Sequence, residues 1–312
     1  MTTKLALVFP GQGSQTVGML AELHTEFAIV RDAFAEASAA LGYDLWALIA
    51  NGPEADLNET HRTQPALLTA SVAVWRLWQQ QGGATPAYLA GHSLGEYSAL
   101  VCAGVLTLAD AVKLVEKRGQ YMQSAVPAGT GAMSAIIGLD DALIAKACEE
   151  AAQGEVVSPV NYNSPGQVVI AGHKAAVERA NELCKAAGAK RALPLPVSVP
   201  SHCALMRPAA EQLAKDLQTL SFHAPVISVV NNVDVAVAAD AAAIQDALVR
   251  QLFSPVRWTE TIEYLAAQGV TEVIELGAGK VLSGLIKRIN KELVTTSVND
   301  VASLQAALAA KE

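Results

Sequence analysis

Basic residues are in the minority in this sequence. Of its 312 residues, 22 are Lys or Arg and 30 are Asp or Glu, which gives a formal net charge of −8 at pH 7. A nucleic-acid binder neutralises phosphates with a basic field, so this balance argues against general nucleic-acid binding. The sequence also lacks an apolar run long enough to span a membrane, and its first residues show no secretory signal. We therefore expect a cytoplasmic protein that is neither exported nor membrane-embedded.

Closely spaced cysteines are absent as well. The four cysteines are scattered along the chain, which suits reduced thiols in a cytosol and gives no zinc-binding spacing. Apolar residues, in contrast, make up 52% of the sequence. A chain of this length and composition can bury a large core, so a disordered chain is excluded and one large α/β domain with a smaller insert is possible.

Short apolar runs alternate with helical segments in the two outer parts of the chain. The strand-like runs are residues 4–9, 88–90, 226–230, 272–276 and 294–298. Strands separated by helices in this way indicate a largely parallel sheet. The outer parts, residues 1–127 and 197–312, therefore predict one large α/β domain.

The middle of the chain has a different rhythm. Its predicted elements follow the order β-α-β-β-α-β, with strands at 132–137, 156–162, 167–171 and 191–195 and helices at 141–152 and 174–187. This is the order of a ferredoxin-like unit. We predict a small inserted subdomain at residues 128–196, with a cleft for a ligand between it and the large domain.

A Gly-His-Ser-Leu-Gly pentapeptide at residues 91–95 lies between a predicted strand and a predicted helix. In this context the pattern G-x-S-x-G forms a nucleophile elbow. Gly91 and Gly95 let the backbone pass closely, which exposes the Ser93 hydroxyl at a helix N-terminus where the Leu94 N–H is a ready oxyanion donor. The alternative is that Ser93 only caps the helix. The placement favours the nucleophile.

The base for such a serine has to come from another part of the chain, because the side chains of adjacent residues diverge on a sharp turn. Of the six histidines, only His202 lies in a break organised for chemistry, where the chain re-enters the large domain before a helix that begins near Ala204. His202 can be the general base, or a capping or core histidine. No Asp or Glu is assigned to orient it, so a backbone carbonyl could do so. Cys203 beside it is interpreted as filler rather than a thiol nucleophile.

Arg118 is in phase with apolar residues on a predicted helix. Ala111, Val115, Arg118 and Met122 share one helical stripe. An inward guanidinium needs an anionic partner, because an unpaired buried charge is costly. That partner is either a core carboxylate in a permanent salt bridge or the carboxylate of a substrate bound by the guanidinium fork.

The motifs at residues 11–15, 91–96 and 200–202, together with Arg118, resemble the malonyl-CoA:acyl carrier protein transacylases of bacterial type II fatty-acid synthesis. The resemblance covers essentially the whole chain. It implies a hydrolase-like α/β domain with a ferredoxin-like insert. It also implies that Ser93 carries the malonyl ester, that His202 is the general base and acid, and that Arg118 holds the malonyl carboxylate.

The same resemblance implies three backbone roles. The N–H groups of Leu94 and Gln12 would form the oxyanion hole, and the carbonyl of Gln251 would orient the histidine. The implied reaction is a ping-pong transfer of malonyl from coenzyme A to the phosphopantetheine thiol of acyl carrier protein, with no metal or bound cofactor. We expect a monomer. A basic region of the insert is a candidate docking surface for the acidic carrier protein, although an ordinary solvated helix face is the more common explanation of each charge: Lys174, Arg179, Lys185, Lys190 and Arg191.

Two other functions share some of these features. A serine esterase would use Ser93 and His202 but transfer the acyl group to water, and Arg118 in the apolar stripe argues against a neutral lipid substrate. A non-catalytic binding module predicts no acyl-enzyme at all. The combination of serine, histidine and arginine argues against this last function.

Overall fold

This computed structural model describes residues 3–197 and 199–310. The strands are β1 Leu5–Phe9, β2 Tyr88–Gly91, β3 Gly131–Ile137, β4 Val157–Ser164, β5 Gln167–His173, β6 Arg191–Pro194, β7 Ser228–Val230, β8 Glu272–Leu276 and β9 Val294–Val298. The helices are α1 Ala21–Glu26, α2 Ala28–Leu41, α3 Leu45–Asn51, α4 Glu54–Leu57, α5 Thr60–Gln80, α6 Gly95–Cys102, α7 Leu108–Ser124, α8 Asp141–Ala152, α9 Lys174–Ala186, α10 Arg207–Leu217, α11 Ala241–Gln251, α12 Trp258–Ala267, α13 Val281–Ile289 and α14 Val301–Ala309.

The larger sheet is parallel throughout, in the order β7-β2-β1-β8-β9. Its inner strand β1 is apolar throughout because both of its faces are covered. The central strand β1 shows this directly, since Leu5, Leu7 and Phe9 belong to one buried cluster and Ala6 and Val8 to another. Successive side chains of a strand point to opposite faces, so the two clusters are the two cores of the large domain.

Parallel strands bring their carboxyl ends to one edge of the sheet. Three segments leave that edge side by side: Pro10-Gly11-Gln12 after β1, His92-Ser93 after β2, and Asn231-Asn232 after β7. Ligands of open α/β sheets bind at this edge. Neighbouring strands thus gather residues that lie far apart in sequence.

The smaller sheet is antiparallel, in the order β4-β5-β3-β6, and α8 and α9 pack on its core. This is the strand order of a ferredoxin-like unit. It joins the large domain through β4, where the Tyr162 N–H donates to Val256 O at 3.0 Å and the Val256 N–H donates to Val160 O at 2.8 Å. The predicted fold class, a parallel-sheet domain with a ferredoxin-like insert, is confirmed. The predicted boundaries at residues 128 and 196 stay a prediction.

The segment after His202 differs from the prediction. The helix does not begin near Ala204. Cys203 is extended, a 3₁₀ turn occupies Ala204–Met206, and α10 begins only at Arg207. Pro208 lies in the first turn of α10, where its missing N–H costs no helical hydrogen bond. Within residues 3–197 and 199–310, no helix combines the length and apolar character that crossing a membrane requires.

Candidate active site

Ser93 lies on a turn that only small neighbours allow. Its φ is 53°, in the left-handed region that side chains rarely adopt. A Cβ at Gly91 would lie 1.9 Å from the Gly95 backbone, and a Cβ at Gly95 would lie 2.1 Å from the Phe9 carbonyl oxygen. Both glycines are therefore required by close backbone approach, as expected for a nucleophile elbow.

Asn232 and Gln251 hold this turn from the other side. Asn232 Nδ2 donates to Gly91 O at 2.7 Å, while the Ser93 N–H donates to Asn232 Oδ1 at 2.8 Å. The side chain of Gln251 adds a bond from its Nε2 to Ser93 O at 3.0 Å. Because the amide of Ser93 is already used, an oxyanion formed at this serine has to take its hydrogen bonds from other N–H groups.

The N–H groups of Leu94 and Gln12 are available for that purpose. Neither donates a hydrogen bond to any residue that the structure describes. Gly11 brings the first turn against the elbow, since a Cβ there would lie 2.5 Å from the His92 carbonyl oxygen. The structure thus places two free donors on adjacent segments beside Ser93. Their role as an oxyanion hole stays a prediction.

His202 contacts Ser93 directly. Its Nε2 lies 2.7 Å from Ser93 Oγ, and its Nδ1 lies 2.7 Å from the carbonyl oxygen of Gln251. A carbonyl only accepts, so Nδ1 carries the hydrogen and Nε2 presents a lone pair to the serine hydroxyl. The pair is therefore a dyad in which a backbone carbonyl orients the imidazole.

Burial keeps this imidazole neutral. His202 is 3% exposed. Burial, and then the nearby charge of Arg118, lowers the pKa of His202 from 6.5 to about 3, against the opposing effect of the Gln251 carbonyl. A neutral imidazole near neutral pH is ready to accept a proton, which is what a general base requires.

Arg118 is fully buried and has no carboxylate partner among the residues that the structure describes. Its Nη1 donates to Gln64 Oε1 at 2.7 Å, and its Nη2 donates to Gln251 Oε1 at 3.0 Å and to Ser93 Oγ at 3.4 Å. No ion pair to Arg118 forms within residues 3–197 and 199–310, and its Nε–H has no hydrogen-bond partner there. The structure therefore lacks the permanent salt bridge that was the alternative for this residue.

Two other reactive side chains near Ser93, those of His92 and Cys203, have hydrogen-bond partners of their own. His92 Nε2 donates to Asn163 Oδ1 at 2.7 Å, which ties this ring to the insert instead of to Ser93. The Cys203 thiol donates to Pro200 O at 3.1 Å, and burial raises its pKa to about 11, so it is not an activated thiolate. In the part of the chain that the structure describes, no three His, Cys, Asp or Glu residues are grouped to hold a metal ion.

Sequence reasoning missed three residues of this site. Asn232 holds the turn through Gly91 O, and Gln64 accepts a hydrogen bond from Arg118. Glu96 accepts hydrogen bonds from Asn232 and Gln251. A signal existed for Asn232, because it follows a strand that ends at the same sheet edge as Ser93. Gln64 gave no such signal, since it lies inside a helix whose packing against α7 is set by the tertiary fold.

Comparisons with known proteins show which family the chain belongs to. Residues 6–307 match the family described as acyl transferase domain. The malonyl CoA-acyl carrier protein transacylase of Salmonella typhimurium is 70% identical over 306 residues, covering 98% of this chain and 99% of that protein. The solved structure of an acyl carrier protein S-malonyltransferase from Vibrio cholerae has a TM-score of 0.96 at 70% identity, covering 97% of this chain and 99% of that one.

A third relative was solved with a partner. It is a malonyl-transacylase in complex with a type II PKS acyl-carrier protein, with a TM-score of 0.98 at 63% identity, covering 99% of this chain and 100% of that one. These similarities extend over nearly the full length of each protein. The chain belongs to the malonyl-CoA:acyl carrier protein transacylases, within the acyl transferase domain family.

Proposed function

We propose that this protein transfers malonyl from coenzyme A to the phosphopantetheine thiol of acyl carrier protein through an ester on Ser93, for fatty-acid biosynthesis. One observation carries the proposal. A buried guanidinium without a carboxylate partner in the described residues lies 3.4 Å from the hydroxyl of a serine that is hydrogen-bonded to a neutral histidine. An acyl group that ends in a carboxylate satisfies that cation while its thioester reaches the serine.

The first half of the reaction forms the ester. Ser93 Oγ attacks the thioester carbon while its proton passes to His202 Nε2. The oxyanion accepts hydrogen bonds from the N–H groups of Leu94 and Gln12. As it collapses, the carbon–sulfur bond breaks and the leaving thiolate takes the proton from His202, which regenerates the neutral imidazole. The second half runs in reverse, with the carrier thiol as nucleophile and Ser93 as leaving group.

Selection of malonyl follows from the cation. A malonyl carboxylate pairs with Arg118 on entering the site, whereas an acetyl group leaves the buried guanidinium without an anion. The same argument disfavours a neutral ester substrate. The reaction needs no metal and no bound cofactor, because the serine, the imidazole and the thiols supply every bond and proton.

The carrier protein is the proposed macromolecular partner, and the complex solved for a relative supports it. On the insert, two of the candidate docking cations are already paired, Arg179 with Glu155 at 2.7 Å and Lys185 with Glu182 at 3.1 Å. Lys174, Lys190 and Arg191 have no ion pair to a described residue. We propose these three as the basic part of the docking surface of a monomeric, cytoplasmic enzyme.

The test of this function is to follow two products at once. Incubation with malonyl-CoA and phosphopantetheinylated carrier protein should malonylate the carrier. Little free malonate should form, because the ester on Ser93 reacts with the carrier thiol in preference to water. Carrier malonylation is read by intact-protein mass spectrometry, and malonate by chromatography. Malonate released at the same rate with and without carrier protein would contradict transfer and assign the protein as a hydrolase.

The low pKa of His202 predicts the pH dependence of acylation. Because that pKa lies at about 3 and not at 6.5, the imidazole stays neutral between these values and the base remains active. We expect kcat/KM for acetyl-CoA to lack an acid limb centred near pH 6.5, when measured from about pH 5 to about pH 8. In Arg118→Ala, loss of the cation should raise the pKa of His202 and with it the midpoint of the acid limb of the pH profile. A tenfold loss per pH unit below 6.5 in the parent would contradict the assignment.

A further inference from the structure

Glu96 is a buried carboxylate directly behind the site. It lies in the first turn of α6, is 2% exposed and has no ion pair to a described residue. Its Oε1 accepts a hydrogen bond from the Asn232 backbone N–H at 2.6 Å, and its Oε2 accepts one from Gln251 Nε2 at 3.3 Å. Both neighbours are donors, so this position requires an acceptor at each oxygen.

The side-chain amide of Gln251 has a defined orientation for the same reason. Its Nε2 faces three acceptors: Glu96 Oε2, Ser93 O at 3.0 Å and Asn232 Oδ1 at 3.2 Å. Its Oε1 accepts from Arg118 Nη2 at 3.0 Å. The reversed amide would place oxygen against oxygen and NH₂ against the guanidinium, which cannot form these bonds.

We propose that Glu96 is a positioning residue for substrate selection, acting through the Gln251 amide on Arg118. By accepting from Gln251 Nε2 alongside Ser93 O and Asn232 Oδ1, it helps to turn the amide oxygen toward Arg118 and so holds Nη2 on the side of Ser93. This inference rests on the proposed function, since the guanidinium is the group that binds the malonyl carboxylate. The proposed role of Glu96 is to set the orientation of the Arg118 guanidinium.

Gln64 holds the other side of the fork in the same manner. Its Nε2 donates to Thr60 Oγ1 at 2.9 Å, which leaves its Oε1 to accept from Arg118 Nη1 at 2.7 Å. Two amide oxygens, each oriented by an acceptor behind its NH₂, therefore fix the plane of the guanidinium. Neither neutralises its charge, so the cation stays free for a substrate carboxylate.

The substitution Glu96→Gln disrupts this arrangement of donors and acceptors while it preserves the shape of the side chain. A carboxylate accepts at both oxygens, but an amide accepts at only one. The backbone N–H of Asn232 cannot turn, so the new amide offers its oxygen there and its NH₂ to Gln251. Two donors then face each other, and the Gln251 amide has to move away from position 96, since turning over would set its oxygen against Ser93 O and Asn232 Oδ1. That movement displaces the oxygen that holds Arg118 Nη2.

The experiment compares kcat/KM for malonyl-CoA and acetyl-CoA in the parent and in Glu96→Gln, with carrier protein as acceptor. It is run at about pH 8, above the value of about 7 to which burial raises the pKa of Glu96. We expect the malonyl-to-acetyl ratio to fall about 10- to 100-fold, as for a reacting group displaced by a fraction of an ångström to an ångström. The acetyl value should change much less.

Glu275→Gln is the matched control. Glu275 is equally buried, and burial raises its pKa to about 7 as well. Its bonds go to the start of α13 instead, from the Leu282 N–H at 3.2 Å and the Ser283 N–H at 2.9 Å. The same chemical change there should affect thermal stability and leave the malonyl-to-acetyl ratio unchanged.

An unchanged ratio in Glu96→Gln, with Arg118→Ala having lost the preference, would overturn the positioning role and leave the proposed function standing. A parent that never malonylates the carrier would instead overturn the proposed function. If Glu96→Gln does not fold, Glu96→Asp replaces it, because the shorter carboxylate keeps the 2.6 Å bond to Asn232 and gives up the 3.3 Å bond to Gln251. Its preference should then fall in the same direction, and an unchanged preference overturns the role.

Discussion

Replacing Ser93 with alanine should reduce malonyl transfer to carrier protein by about 10⁴- to 10⁶-fold, the range found when a catalytic serine dyad or triad is disabled. The reason is that two other side chains near Ser93, those of His92 and Cys203, cannot take its place. The neighbouring His92 donates to Asn163, and the Cys203 thiol is buried and protonated. Steady-state transfer from malonyl-CoA, with carrier protein as acceptor, measures the loss.

Ser98→Ala is the control for this substitution. Ser98 lies in the helix that begins just after Ser93, is fully buried, and its Oγ has no hydrogen-bond partner among the described residues. Loss of that hydroxyl should leave transfer within a few-fold of the parent, as for a substitution that breaks no named interaction. Transfer in Ser93→Ala within about tenfold of the parent would contradict the acyl-enzyme.

Replacing Arg118 with alanine should lower kcat/KM for malonyl-CoA by roughly 10²- to 10³-fold, because truncating one partner of a buried charge pair costs about 2–5 kcal/mol. The value for acetyl-CoA should fall far less, since acetyl makes no ion pair with the guanidinium. The preference for malonyl should therefore largely disappear. Parallel kinetics with the two thioesters measure it.

Arg118→Lys separates charge from geometry. Lysine keeps the cation but not the planar fork that reaches Gln64, Gln251 and Ser93 together. We expect part of the malonyl preference to return, at an overall rate below that of the parent. A full malonyl preference in Arg118→Ala would show that another group binds the carboxylate.

The sharp turn at Ser93 and the fold class could be predicted because their signals are local. The spacing of Gly91 and Gly95 around Ser93, between a strand and a helix, is enough to predict a sharp turn at the serine. The strand and helix order of the insert is equally readable, and its strand order in the sheet matches the ferredoxin-like prediction. Periodicity also showed that Arg118 faces inward, and it is fully buried.

The partners of these residues could not be predicted in the same way. Whether a buried guanidinium is paired depends on elements that meet only in the tertiary fold, here Gln64 from α5 and Gln251 from α11. The resemblance pointed to the carbonyl of Gln251 but not to its side chain, which bonds to four groups of the site. Asn232 follows a predicted strand, but its contact with the turn at Ser93 depends on β7 lying beside β2. Hydrogen-bond direction, which decides the role of Glu96, has no sequence pattern.

Intact-protein mass spectrometry after a brief exposure to malonyl-CoA detects the acyl-enzyme itself. The parent should gain the mass of one malonyl group, Ser93→Ala should gain none, and added phosphopantetheinylated carrier protein should remove the group from the parent. A malonyl adduct of equal yield on Ser93→Ala, or an unmodified parent that still malonylates the carrier, would contradict the ester on Ser93.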